Sequence, residues 1–158
     1  MKLILKVYDA LLTVLITLLI LLELILTGCH YKGYDWYVIT SDSMYPTIKR
    51  GDATLIDTND RWDVAEGDIV CFRVSATNVT HRIYSVNEDG TYTTKGDANE
   101  TVDPSNIKKN QICGTVKFKS SIFGKVLDTF TKIGVKKISI VSIGLLVIRF
   151  VITLFSKN

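Results

Sequence analysis

The stretch V-T-H-R-I-Y-S-V (79–86) decides how this chain is read. Its alternation puts Val79, His81, Ile83 and Ser85 on one face of a strand and Thr80, Arg82, Tyr84 and Val86 on the other. His81 and Arg82 therefore point opposite ways and cannot serve one site by facing it together. Five further runs rich in β-branched and aromatic residues share the region: W-Y-V-I-T (36–40), A-T-L-I-D (53–57), D-I-V-C-F-R-V (68–74), T-Y-T-T-K (91–95) and Q-I-C-G-T-V-K-F (111–118). Turn signals separate them. Gly51-Asp52, Gly67-Asp68 and Gly96-Asp97 are three such pairs, and Glu88-Asp89-Gly90 reads as a hairpin turn. The expected fold class is mainly β.

Two apolar runs flank this region. Residues 10–26 carry Glu23 as their only charge, and residues 138–155 carry only Arg149. A helix needs roughly 20 mostly apolar residues to cross about 30 Å of hydrocarbon, so each run reaches across with a flanking residue or two. The first run is longer than the roughly 7–15 apolar residues of a cleaved leader, and no A-x-A site follows it. The expected organisation is an N-terminal transmembrane anchor (1–28), a β domain (29–119), a basic, helix-compatible linker (120–137) and a C-terminal transmembrane helix with its tail (138–158). Lys2 and Lys6 favour a cytoplasmic N-terminus, which places the β region outside the membrane and makes the protein multi-pass. Lys132, Lys136 and Lys137 lie before the second run against that trend, but long segments translocate largely regardless of charge. Glu23 and Arg149 stand near predicted helix ends, within snorkelling reach of the interface.

Between residues 28 and 137 there are 15 Lys plus Arg against 14 Asp plus Glu. That balance lacks the clustered basic excess of a nucleic-acid surface, so no nucleic-acid partner is expected. Cys29, Cys71 and Cys113 have no metal-ligand spacing, and neither a metal nor another cofactor is expected. Cys71 and Cys113 fall within predicted strands, as a disulfide or as free core thiols. Cys29 ends L-T-G-C, which is similar to a bacterial lipoprotein cleavage box. A lipid-anchored, non-catalytic surface binding domain is therefore the alternative reading.

Nucleophilic chemistry has its candidates in S-D-S-M-Y-P-T (41–47), where two serines stand two apart. A serine hydroxyl needs a neighbouring base to take its proton during attack. His81 is the one histidine beyond the membrane-proximal His30, and a histidine base wants a carboxylate to hold its tautomer. Asp97 and Asp103 in G-D-A-N-E-T-V-D (96–103) are available for that task. The plain alternatives are a structural strand histidine and a surface loop whose Asp and Asn side chains make turns.

S-D-S-M-Y-P-T-I-K-R-G-D (41–52) resembles the nucleophile box of type I signal peptidases, where the serine before methionine attacks; here that is Ser43. G-D-I-V-C-F-R-V (67–74) followed by T-H-R-I (80–83) resembles the next boxes, in which common bacterial members carry a lysine base and this chain has His81. T-K-G-D-A-N-E-T-V-D-P (94–104) resembles the last box. The similarity covers about 38–116, and the histidine marks the endoplasmic-reticulum-type branch, which has bacterial and archaeal members.

The resemblance implies a β-rich, partly barrel-like fold and a membrane-bound serine endopeptidase that removes signal peptides through an acyl-enzyme. Ser43 would be the nucleophile, His81 the general base, Asp103 the orienting acid and Asp97 a second required or structural aspartate. Ser41 matches a position whose hydroxyl assists the oxyanion hole. Implied partners are signal-peptide-bearing preproteins with small residues at the first and third positions before the cut, the lipid bilayer, and for some members accessory membrane subunits. Met44 and its apolar neighbours would line substrate pockets, enter the bilayer surface or pack in the core. Asn78-Val-Thr80 and Asn99-Glu-Thr101 are glycosylation sequons flanking this machinery, where sugars would crowd it, so a prokaryotic cell surface is favoured over an endoplasmic-reticulum lumen.

Overall fold

The computed structural model describes residues 2–133 and 140–149. These form two compact units, Cys29–Asp128 and the described residues outside it. Helix α1 (Lys2–Tyr31) has no proline to interrupt it and is dominated by leucine and isoleucine. Over Lys6–Tyr31 it is long and apolar enough to cross a membrane. It stops where Gly33 takes a φ of +80° and the amides of Lys32 and Gly33 turn back to the carbonyls of Cys29 and His30.

In the terminal unit, Arg149 pairs with Asp9 at 3.2 Å, so its guanidinium has a carboxylate partner besides any interface. Ile16 and Ser142 are buried there. Within the expected second span, the described residues give helix α3 (Ile140–Arg149). Ten residues rise about 15 Å, half of what a crossing requires, so a second span is not supported by what is described. The rest of that run, 138–139 and 150–155, lies outside the described residues.

All six expected runs are strands: β1 (Tyr34–Val38), β2 (Ala53–Asp57), β3 (Ile69–Val74), β4 (Thr77–Val86), β5 (Tyr92–Lys95) and β6 (Ile112–Ser120). They form one antiparallel sheet in the order β1-β2-β6-β3-β4-β5. Hydrogen bonding leaves β1 and β5 as edges, so the sheet is open. Register shifts at Leu55/Ile56, Cys71/Phe72 and Ile83/Ser85 bend its strands locally.

One face buries Val64, Val70, Phe72, Ile83, Tyr92, Ile107 and Ile112 together. A second cluster joins Ile39, Met44 and Ile48, backed by Ile69 and Val116. Met44 is 1% exposed, so core packing is its role rather than pocket lining or bilayer contact. After β6, helix α2 (Ser121–Ile133) lies against the sheet by Phe123, whose ring packs at a tilt on Trp36 with centroids 4.5 Å apart, and by buried Leu127. Gly124 permits that approach. A Cβ there would stand 2.0 Å from the Gly51 carbonyl oxygen.

Candidate active site

Ser43 sits on a loop pinched closed at its neck. The Ile39 amide donates to the Asp52 carbonyl at 2.9 Å, and the Gly51 amide donates to the Ile39 carbonyl at 2.8 Å. Within the loop, Tyr45 and Ile48 amides return to the Asp42 and Met44 carbonyls, making a tight turn that contains a cis Tyr45–Pro46 bond. Met44 and Ile48 are buried beneath this turn and hold it down. Asp52 fixes its far end. Burial alone would raise the Asp52 carboxyl, but the Ser121 hydroxyl at 2.6 Å and the Lys49 amide at 3.0 Å more than offset it and leave it lowered. The Ser41 and Ser43 hydroxyls are hydrogen bonded at 3.2 Å.

His81 lies on the buried face of β4, as its alternation requires, edge-on to Phe72. Its Nδ1 is 2.7 Å from Asp103 Oδ2. With Asp103 accepting from Nδ1–H, the other ring nitrogen is left as the acceptor that a general base needs. Asp103 comes from the loop after β5, which β4–β5 pairing brings back alongside His81.

The second aspartate is elsewhere. Asp97 receives both Nε and Nη2 of Arg82, at 2.9 and 2.7 Å, on the opposite side of β4. The Arg82 guanidinium, with the Thr47 hydroxyl, holds the Asp97 carboxyl below the usual carboxylate range. Of the two, Asp103 is therefore the aspartate that contacts His81, while Arg82 holds Asp97. Gly96 and Ala98 on either side of it touch the Ser43 backbone. His30 also has a carboxylate, Asp35 at 2.6 Å, but that pair is exposed near the end of α1.

Ser41, Ser43 and His81 open onto one cleft of about 370 Å³, walled by the end of β1 and the following residues (Tyr37 to Thr40) and by the start of β4 (Thr77 to Thr80), with Cys71 at its base. The cysteines are free thiols. Burial pushes the Cys71 thiol up to about 12, and neighbouring Cys113 adds to this.

The sequence model of the Peptidase S24-like family matches residues 26–117, more than half of the chain. The chain belongs to the Peptidase S24-like family. No curated protein gives a significant match. Peptidase S24-like proteins are serine peptidases, and the matched residues contain the whole cleft with Ser43, His81 and Asp103. The match sets the chemistry at serine-peptidase level and does not by itself separate a signal-peptidase branch from the rest. Within this Peptidase S24-like domain, sequence reasoning missed Thr94. Its hydroxyl donates to Asp103 Oδ2 at 2.6 Å. The signal was a threonine two residues from Tyr92 on the core-facing side of T-Y-T-T-K.

Proposed function

We propose that this protein is a membrane-anchored serine endopeptidase of the endoplasmic-reticulum-type signal peptidase branch, cutting signal peptides from exported preproteins. The observation that carries the reading is the His81–Asp103 pair at 2.7 Å in the domain whose cleft also holds Ser43. In the proposed reaction His81 takes the Ser43 proton as Oγ attacks the scissile carbonyl. The C–N bond then breaks and His81 returns the proton to the leaving amine. A water, deprotonated by the same histidine, hydrolyses the ester on Ser43 and frees the acid product.

Ser41 is proposed to donate to the oxyanion, a contact of the kind whose loss typically costs about 3–4 kcal/mol of barrier. Its hydroxyl already stands beside that of Ser43. Val38, Ile39 and Val79 on the cleft walls suit the small apolar side chains of such substrates. The anchor gives the site its purpose, since a signal peptide's apolar segment stays in the bilayer and proximity replaces search. An extracytoplasmic position of the β domain, a second crossing over 138–155 and any accessory subunits belong to the same proposal. Asn78 lines the cleft, so a sugar on its sequon would obstruct it, which supports a prokaryotic setting.

The full chain, purified in detergent, is expected to cut a preprotein once after its signal segment, and Ser43→Ala and His81→Ala each to abolish the cut while still reaching the membrane. Normal processing by both variants would remove the proposal.

A further inference from the structure

We propose that Thr94 is a positioning residue for the His81–Asp103 pair, fixing the carboxylate that orients the base; the proposal rests on the peptidase reading above. Thr94 is 1% exposed on the core-facing side of β5, opposite Ile83 and near buried Tyr92. A hydroxyl in that apolar layer is costly unless it is hydrogen bonded. It has one charged partner. Thr94 Oγ1 donates to Asp103 Oδ2 at 2.6 Å, the same oxygen that stands 2.7 Å from His81 Nδ1.

The backbone doubles the connection, because the Asp103 amide donates to the Thr94 carbonyl at 2.8 Å. Asp103 belongs to a loop rather than a strand, so its carboxylate has no regular ladder to set its orientation. Thr94 supplies that by gripping both the main chain and Oδ2. With the carboxylate fixed, the imidazole is held by Nδ1 and its other nitrogen stays free to accept a proton. Thr94 touches none of the reacting atoms and acts through Asp103.

The expected effect is on turnover rather than binding. Thr94→Val keeps shape and burial but removes the donor, and kcat should fall about tenfold, the worth of one hydrogen bond to a charged group, with KM unchanged. Thr94→Ser restores the hydroxyl and should bring kcat back to within about threefold. A merely structural threonine predicts the reverse order, because serine leaves the larger packing defect.

A second readout does not need activity. The chain has two histidines, so labelled histidine in the full protein in micelles gives two ring spectra, and the hydrogen-bonded Nδ1–H of His81 is followed at low field. That resonance should weaken or move in Thr94→Val and persist in Thr94→Ser. If Thr94→Val does not fold, Thr94→Cys, a weak donor of similar volume, should lower kcat about threefold to tenfold with KM unchanged, and wild-type kcat in that variant would overturn the proposal. Unchanged kcat and an unchanged resonance in the folded variant would overturn the proposal. A resonance that responds in a protein whose wild type cuts no preprotein would instead uphold Thr94 as the positioner and remove the substrate reading.

Discussion

The Cα of Gly96 lies so close to the carbonyl of Ser43 that a Cβ built on it would stand 2.5 Å from that oxygen. The same oxygen accepts the Ala98 amide at 2.9 Å. The loop that carries both aspartates is thus locked backbone to backbone onto the turn that carries Ser43, and no rotamer change can relieve a clash there. Gly96→Ala should displace Ser43 relative to His81. A misplacement of about 1 Å costs on the order of 100-fold in rate. Preprotein cleavage assays should show that loss in kcat with a folded protein by circular dichroism, and wild-type turnover would mean that the turn tolerates the shift.

The Arg82–Asp97 pair makes a prediction about acid. Arg82 holds the Asp97 carboxyl below its unfolded value, which is near 3.9. A lowered carboxylate contributes stability that is present above the unfolded pKa and is lost as pH falls through the folded one. Asp97→Asn should therefore melt at a lower temperature than wild type at pH 7, and the gap should narrow once pH drops below about 4. Thermal melts of both proteins across that range would decide it. A gap that stays constant to pH 2 would show that the bond between Arg82 and Asp97 is not the source of the difference.

Strand positions were legible because the β-branched and aromatic runs cluster between turn signals; β2 was expected at 53–57 and spans Ala53–Asp57, whereas β1, expected at 36–40 with no alternation to fix it, runs Tyr34–Val38. The alternation of 79–86 separated His81 from Arg82, and the two do reach different aspartates. Which aspartate goes with which was not legible from the residues themselves, and only the family resemblance pointed to Asp103 for His81. Asp97 and Asp103 are six residues apart in a loop, and only the β4–β5 register with the closure onto Ser43 sorts them. Thr94 was invisible for another reason: a threonine is an ordinary strand residue until burial shows that its hydroxyl needs a partner.

Cys71 should be inert while the protein is folded. Burial pushes its thiol up to about 12, and alkylation requires the thiolate. At pH 8 only about one thiol in ten thousand would be ionised, before access is counted. Iodoacetamide followed by peptide mass spectrometry should leave Cys71 unmodified in the native state and label it after denaturation. Native labelling on the same timescale as a free thiol would mean that the β3–β6 ladder opens far more readily than its packing suggests.

His81→Lys tests whether geometry or base identity governs the site. The His81 side chain is 9% exposed, edge-on to Phe72, and joined to Asp103 by Nδ1. A lysine placed there has its longer chain in the same narrow slot and a single nitrogen that Asp103 attracts. Ion pairing favours the charged ammonium, so the group is held protonated and away from Ser43. Activity should fall at least about 10⁴-fold, as when a triad member is removed, and should not return at higher pH within the stable range. A lysine variant with substantial cleavage would show that the cleft admits a base from this position without the carboxylate, and that Asp103 matters less than its 2.7 Å contact implies.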